Sequence, residues 1–338
     1  MRFLLSMKLI RKARLFRGLP RIVLFLLFGV LLPRFASAQG ELHLSYLGTA
    51  GWEITDGKTV ILVDPYLSRL KFTTPNDAVL PDDPRPLFGS DSVGVSDQAV
   101  IDAHIKRADF ILITHTHRDH VLDLPYIALK TGAMVIGTES TVNFARASGV
   151  PSNQLLAVRG GDDLEFGVFS VRVIPSLHGI LRRAPNVPSN PGLPVPEVFP
   201  PDAKPPFHWR DYVEGGTLAY LIRLNGVEVL AFGSMNYIER EVEGLRPDVA
   251  LIGAMPERRE IYQYTARLLR ALDPPLVLPT HWDRFNVPYS TSQQPAIERL
   301  QSFLAEVKAA SPSTRVIVPE YFQPITVKAD RNRGSKDK

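Results

Sequence analysis

The stretch Phe110-Ile111-Leu112-Ile113-Thr114-His115-Thr116-His117-Arg118-Asp119-His120 decides how the rest of the 338-residue chain is read. Four apolar residues predict a short buried strand, after which the chain turns polar at once. Three imidazoles and a carboxylate follow within six residues. Neutral imidazole nitrogen and carboxylate oxygen are the usual donors to zinc and similar borderline cations. The spacing divides the work: His115 and His117, two apart, point the same way, whereas Asp119 and His120 turn aside toward a second position. With only eight histidines in the chain, three in one such window is not the pattern of an ordinary polar loop.

Upstream, residues 42–63 read as three short strands, with Asp56-Gly57 as a hairpin signal. After Asp64-Pro65, residues 69–95 are rich in Pro, Asp, Gly and Ser and read as a long surface excursion. From Asp97 helices and strands alternate: a helix to Lys106, the strand 110–113, helices near 121–130 and 140–148 flanking a strand at 133–137, and a further strand at 168–174. A second excursion covers 180–215, and its first 27 residues hold nine prolines, too many for a helix or a central strand. Strands resume at 217–224 and 228–232 across Asn225-Gly226. Then come a strand at 249–252, a helix at 261–272, a strand at 276–278 and a helix at 296–309. Strands, αβ units, strands and αβ units again predict two similar halves stacked through their sheets with helices outside.

The motif His-x-His-x-Asp-His behind a hydrophobic strand resembles the signature of the metallo-β-lactamase superfamily. The resemblance runs from about Leu44 to Phe285 and includes Leu47-Gly48, Val63-Asp64-Pro65 and Gly160-Gly161-Asp162. The Asp-Pro strand end and Leu122-Asp123 are similar to the lactonase-like and phospholipase-D-like branch. The resemblance implies an α+β fold, a four-layer αββα sandwich, with His115, His117 and His178 holding one divalent cation and Asp119, His120 and His281 a second. Zinc is the first expectation, with manganese, iron and nickel chemically open. Where the family usually places a metal-bridging Asp, this chain has Ser234 after Gly233. Three arrangements follow: two cations bridged only by hydroxide, a substitute ligand such as Asn236 or Glu239, or one tight and one weak cation.

What the resemblance implies chemically is hydrolysis, because bound cations lower the pKa of coordinated water from about 15.7 to about 7 and polarise a carbonyl or phosphoryl oxygen. Asp119 is the expected catalytic residue, orienting the nucleophile and moving its proton. Asp64 and Asp283 are candidates to orient ligand histidines, Asp64 reading equally well as a turn opener. His208, Asn236 and Tyr237 are candidate substrate contacts. The bond cleaved stays open among ester, lactone, amide and phosphodiester. A true β-lactamase and a binding protein of the same fold that has lost catalysis are the alternatives.

Residues 1–38 carry eight Lys/Arg and no acid, an apolar run from Ile22 to Leu32, and the small-residue site Ala36-Ser37-Ala38. These are the three parts of a secretory signal peptide, giving the expectation of a periplasmic or secreted protein. The apolar run is too short for a stable membrane span. The remainder has 31 basic against 35 acidic residues, so the formal +4 of the whole chain is no nucleic-acid footprint. A small-molecule substrate is the expected partner, and oligomeric state is open. The domain boundaries expected are a single domain at 39–327 and a flexible basic tail at 328–338.

Overall fold

The computed structural model describes residues 40–179 and 198–329. The signal-like segment, most of the proline run and the last nine residues lie outside the described residues. Strands β1 (Glu41–Gly48), β2 (Gly51–Thr55), β3 (Val60–Val63), β4 (Phe110–Leu112), β5 (Met134–Gly137) and β6 (Leu155–Ala157) belong to one sheet. Strands β7 (Asp163–Glu165), β8 (Phe169–Pro175), β9 (Leu218–Leu224), β10 (Val227–Phe232), β11 (Val249–Gly253), β12 (Leu276–Thr280) and β13 (Arg315–Val316) form the other. The chain then returns as β14 (Pro324–Lys328) to the first sheet, beside β1.

The expected two similar halves are visible in strand direction. From β14 through β1 and β2 to β3 the pairing is antiparallel, and from β3 to β6 it is parallel. In the second sheet, β7 to β10 are antiparallel and β10 to β13 parallel. In β1 the alternation puts Leu42, Leu44 and Tyr46 inward. They pack with Trp52, Ile54 and Ile61 against Val171, Val173, Tyr220 and Ile222 of the facing sheet. Each fully buried aliphatic side chain there contributes about 1.5–3 kcal/mol relative to exposure. Helices α1 (Gln98–His104), α2 (Arg118–Val121), α3 (Leu124–Thr131) and α4 (Glu139–Ala147) accompany the first half, with α1, α3 and α4 burying Ile101, Ile127 and Phe144 on its outer face. Three more follow: α5 (Glu239–Val242), α6 (Tyr264–Leu272) and α7 (Gln294–Ala310). Of these, α6 and α7 bury Leu268, Leu272, Leu300 and Phe303 against the second sheet. The result is a four-layer αββα sandwich.

Four expectations change. The helix expected at 121–130 is two, α2 and α3, because Pro125 sits in the first turn of α3 and Asp123 turns inward to accept the backbone N–H groups of Leu67 and Ser68 at 2.6 and 2.8 Å. The helix expected from Ile261 starts at Tyr264, where Gln263 takes φ 48°. Residues 69–95 are not simply a surface excursion: Arg69, Phe72, Asp77 and Phe88 are buried, and Phe72 and Phe88 join Tyr66, Leu122 and Phe285 in an apolar cluster of their own. Lys328, expected to open a frayed tail, ends β14, opposite Glu41, because Val327 gives that strand a buried face. Among the described residues, no helix is long and apolar enough to cross a membrane.

Candidate metal centre

Parallel pairing aligns the carboxyl ends of β3 and β4, and the antiparallel pairs around β9 make β8 run the same way as β10, β11 and β12. The residues just past these ends are Asp64 (β3), His115 to His120 (β4), His178 (β8), Ser234 (β10) and His281 (β12). Loops at strand carboxyl ends, held by a rigid sheet, are where such folds place function. Gly233 lets the two sheets close there, since a Cβ at that position would collide with the Thr114 hydroxyl and the Asp64 carboxylate.

Two groups of potential donors result. His115, His117 and His178 form one and Asp119, His120 and His281 the other, each with its donor atoms within 4.8 Å of one another. The groups abut: the His115 and His120 ring centroids are 3.9 Å apart. Oδ2 of Asp119 lies 3.5 Å from His281 Nε2 and 3.8 Å from His120 Nε2. Buried nitrogens His115 Nε2 and His281 Nδ1 lack any hydrogen-bond partner. Such orphaned atoms are costly unless something absent from the chain completes them. Three imidazoles, and two imidazoles with a carboxylate, are donor sets that suit divalent cations.

Electrostatics separates the groups. Burial first, then the neighbouring imidazoles, push His115 well below its ordinary pKa, His117 to about 3 and His178 to about 4. All three are therefore free bases at neutral pH, the form that donates to a cation. For His120 burial works in the same direction, but Asp64 and Asp119 outweigh it and its pKa is raised. Burial alone would raise the Asp119 carboxyl; His120, His281 and Arg118 hold it well below the usual carboxylate range.

Asp64 behaves as one of its two sequence readings required. Its Oδ2 lies 2.8 Å from His120 Nδ1, and Thr114 donates to the same carboxylate through its backbone N–H at 2.7 Å and through its hydroxyl at 2.5 Å. Asp64→Asn is expected to weaken cation binding in the second triad by about 10–100-fold, the usual effect of losing such a carboxylate–histidine support. Competition with a chromophoric chelator measures it, and unchanged affinity in a folded variant would contradict the assignment.

Asp283 does not support His281. Its Oδ1 accepts from Tyr46 Oη at 2.9 Å and Thr49 N at 3.0 Å, and its Oδ2 from Arg69 Nη1 at 2.8 Å and Tyr321 Oη at 2.7 Å. The three candidate substrate contacts, His208, Asn236 and Tyr237, are not among the residues that line the cavity in front of the donors. His208 is occupied with Asp211, 3.2 Å away. Asn236 donates to the Gly179 carbonyl at 3.2 Å and accepts from Tyr237 N at 2.8 Å. Tyr237 is buried with its ring against Tyr264. Ser234 lines the site but turns its hydroxyl to the His178 carbonyl.

The cavity in front of the triads has a volume of about 370 Å³, within the small-molecule range. Beyond His117, Asp119, His120, His178 and His281, its walls include Arg118, Met255, Glu257, Ile261 and Phe285. A larger open cleft of about 1150 Å³ is lined in part by Arg258, Tyr264 and Glu306 and contains no histidine. Phe285 was within reach of sequence reasoning, four residues past His281. Met255 and Glu257 follow β11, a strand end with no motif to mark it.

A family model described as the β-lactamase superfamily domain matches residues 43–281, more than half the chain and all six clustered donors. The chain belongs to the metallo-β-lactamase superfamily. Among superfamily relatives, a metal-dependent hydrolase of Symbiobacterium thermophilum is 24% identical over 283 residues, covering 82% of this chain and 96% of that one. Another, from Heliobacterium modesticaldum, is 29% identical over 138 residues; the match covers 41% of this chain and 46% of that protein, less than half its length. Of solved structures, a metallo hydrolase of Ignicoccus hospitalis aligns with TM-score 0.52 and 17% identity, covering 85% and 98% of the two chains. The diiron β-hydroxylase CmlA of Streptomyces venezuelae aligns with TM-score 0.50 and 17% identity, covering 86% of this chain and 54% of that one. At such identities the structural likeness is one of fold alone, and the chemistry of this superfamily member has to be argued from its own site.

Proposed function

We propose that this superfamily member is an exported metal-dependent hydrolase acting on a small molecule, and that it works with two divalent cations, zinc first among them. The observation that carries the reading is the juxtaposition of two complete three-residue donor groups, five of whose six members line one cavity while the sixth, His115, holds a buried Nε2 with no hydrogen-bond partner. The names of the relatives support it in kind. Bound cations would supply Lewis-acid polarisation of the scissile bond and a lowered pKa for the attacking water.

The chain's own groups do the rest. His115, His117 and His178 are neutral donors, held so by burial. Asp64 fixes the His120 ring through Nδ1, leaving Nε2 to the cation. Asp119 turns Oδ2 toward His120 and His281, so Oδ1 is the oxygen left to orient a water and take its proton. With Ser234 turned to the His178 carbonyl, that position supplies no carboxylate, and each cation would be held by the three residues of its own group. An ester, lactone, amide or phosphodiester all fit this chemistry. Export rests on the tripartite pattern of residues 1–38.

Elemental analysis of the desalted protein is expected to give close to two equivalents of metal. Chelation is expected to abolish hydrolysis in a screen of ester, lactone, amide and phosphodiester substrates, and zinc or manganese to restore it. Hydrolysis indifferent to chelation, or two tightly held equivalents with no hydrolysis of any of the four bond types, overturns the reading.

A further inference from the structure

Arg118 stands in the middle of the signature but is not one of the six donors. It lines the same cavity as five of the six donors, His117, Asp119, His120, His178 and His281. Its guanidinium carbon lies 3.2 Å from the ring centroid of Trp209 and 4.6 Å from that of Phe72. Its chain neighbour Asp119 acts on its charge, and Tyr66 and Tyr212 are also close enough to do so. Glu257 and Glu260 line the cavity too. The Arg118 Nε–H is buried and has no acceptor.

Aromatic rings packed against a guanidinium stabilise its charge, but they supply no oxygen acceptor to its N–H groups, and the buried Nε–H has none. A largely desolvated cation with unmet donors is unfavourable on its own. It is also a preorganised fork whose shape matches a planar or tetrahedral oxyanion. The rings remove its rotational freedom in advance, so little ordering is left to be done when an anion arrives.

We propose that Arg118 sets the specificity of this cavity, and that the substrate carries an anionic oxygen group, a carboxylate or a phosphate, seated on the Arg118 fork while the bond to be cleaved lies at the two triads. The wall that fixes Arg118 is built by both irregular segments: Phe72 comes from residues 69–95, and Trp209 from the stretch after the prolines. The excursions thus act through Arg118, and not through His208. The word substrate rests on the hydrolase reading; anion binding at Arg118 does not.

The test is calorimetric titration of the full metal-loaded chain with glutarate and with its uncharged analogue glutaramide. Wild type is expected to bind glutarate and not glutaramide, and more weakly as salt rises. R118Q is expected to lose affinity for glutarate roughly 10- to 100-fold, the range for hydrogen bonds to a charged group, with metal content unchanged. R118K keeps the charge and stem but not the fork, and is expected to fall between. Equal glutarate affinity in wild type and R118Q means that the metals alone hold the anion and overturns the proposal. Should R118Q fail to fold, R118K decides: affinity equal to wild type overturns the proposal. A protein that binds glutarate through Arg118 but hydrolyses nothing sinks the hydrolase reading and leaves this inference standing.

Discussion

Asp119→Ala is expected to remove turnover while leaving the chain folded and the first triad loaded. The side chain sits between His120 and His281 with Oδ2 toward both, so its loss takes a donor from one group only. His115, His117 and His178 form their own group without it. Metal content is therefore expected to fall by at most one equivalent. The rate is expected to drop by about 10²–10⁴-fold from the proton-transfer role alone, and further where the second cation is lost. Asp119→Asn refines the result: it keeps the shape and one acceptor oxygen but not the charge, so a rate as low as that of Asp119→Ala points to the proton and not to packing. A variant within about threefold of the wild-type kcat/KM would remove Asp119 from the mechanism.

The largest effect on stability is expected at Arg69. This fully buried guanidinium donates from Nη1 to Asp283 at 2.8 Å and from Nε to the Val287 carbonyl at 2.6 Å, and it also reaches the Arg284 carbonyl. The rings of Tyr289 and Tyr321 lie 4.5 and 5.2 Å from its central carbon. Burial works against charge on both partners, yet each outweighs it for the other: Arg69 is pushed above its ordinary pKa and Asp283 below. Arg69→Met strands the Asp283 carboxylate, and such a loss costs about 3–5 kcal/mol. In a domain of this size that is a fall in Tm on the order of 10 °C. Because the pair can be replaced more cheaply than it can be broken, the double variant Arg69→Met/Asp283→Leu is expected to recover part of the loss. Thermal unfolding followed by circular dichroism measures both, and a single variant within about 1 kcal/mol of wild type would show that Asp283 finds other partners.

That network also explains where sequence reasoning stopped. Asp283 stands two residues from His281, which made it a natural support. His281, however, takes φ 51°, and the carboxylate ends under the β1–β2 turn on Thr49 N and Tyr46 Oη. No residue pattern announces that rotation. Asp64 was legible as one of two readings, from its place at a strand end before Pro65; the parallel pairing of that strand with the one carrying the histidines, which puts the carboxylate at the same edge, was not. Ser234 was legible as a missing carboxylate, but not its turn toward the His178 carbonyl. The sheets were legible wherever a strand had four or more apolar residues. Leu155–Ala157, Asp163–Glu165 and Arg315–Val316 are edge or near-edge strands of two or three residues, too short to show a period. Residues 69–95 misled for another reason: their prolines and aspartates mark turns correctly, but Phe72 and Phe88 between those turns are the side chains that pack.

The pairing of β14 with β1 has a consequence for how the protein can be held. The Gly48 end of β1 lies at the metal centre's edge, since His281 N donates to the carbonyl of Thr49 next to it. Glu41 is seven residues back along an extended strand, about 23 Å away, and Lys328 lies opposite it. Glu41 and Lys328 therefore lie side by side at the end of β1 remote from the metal centre. A short covalent bridge between these two residues would close the first sheet's outer pair without touching the mouth of the cavity.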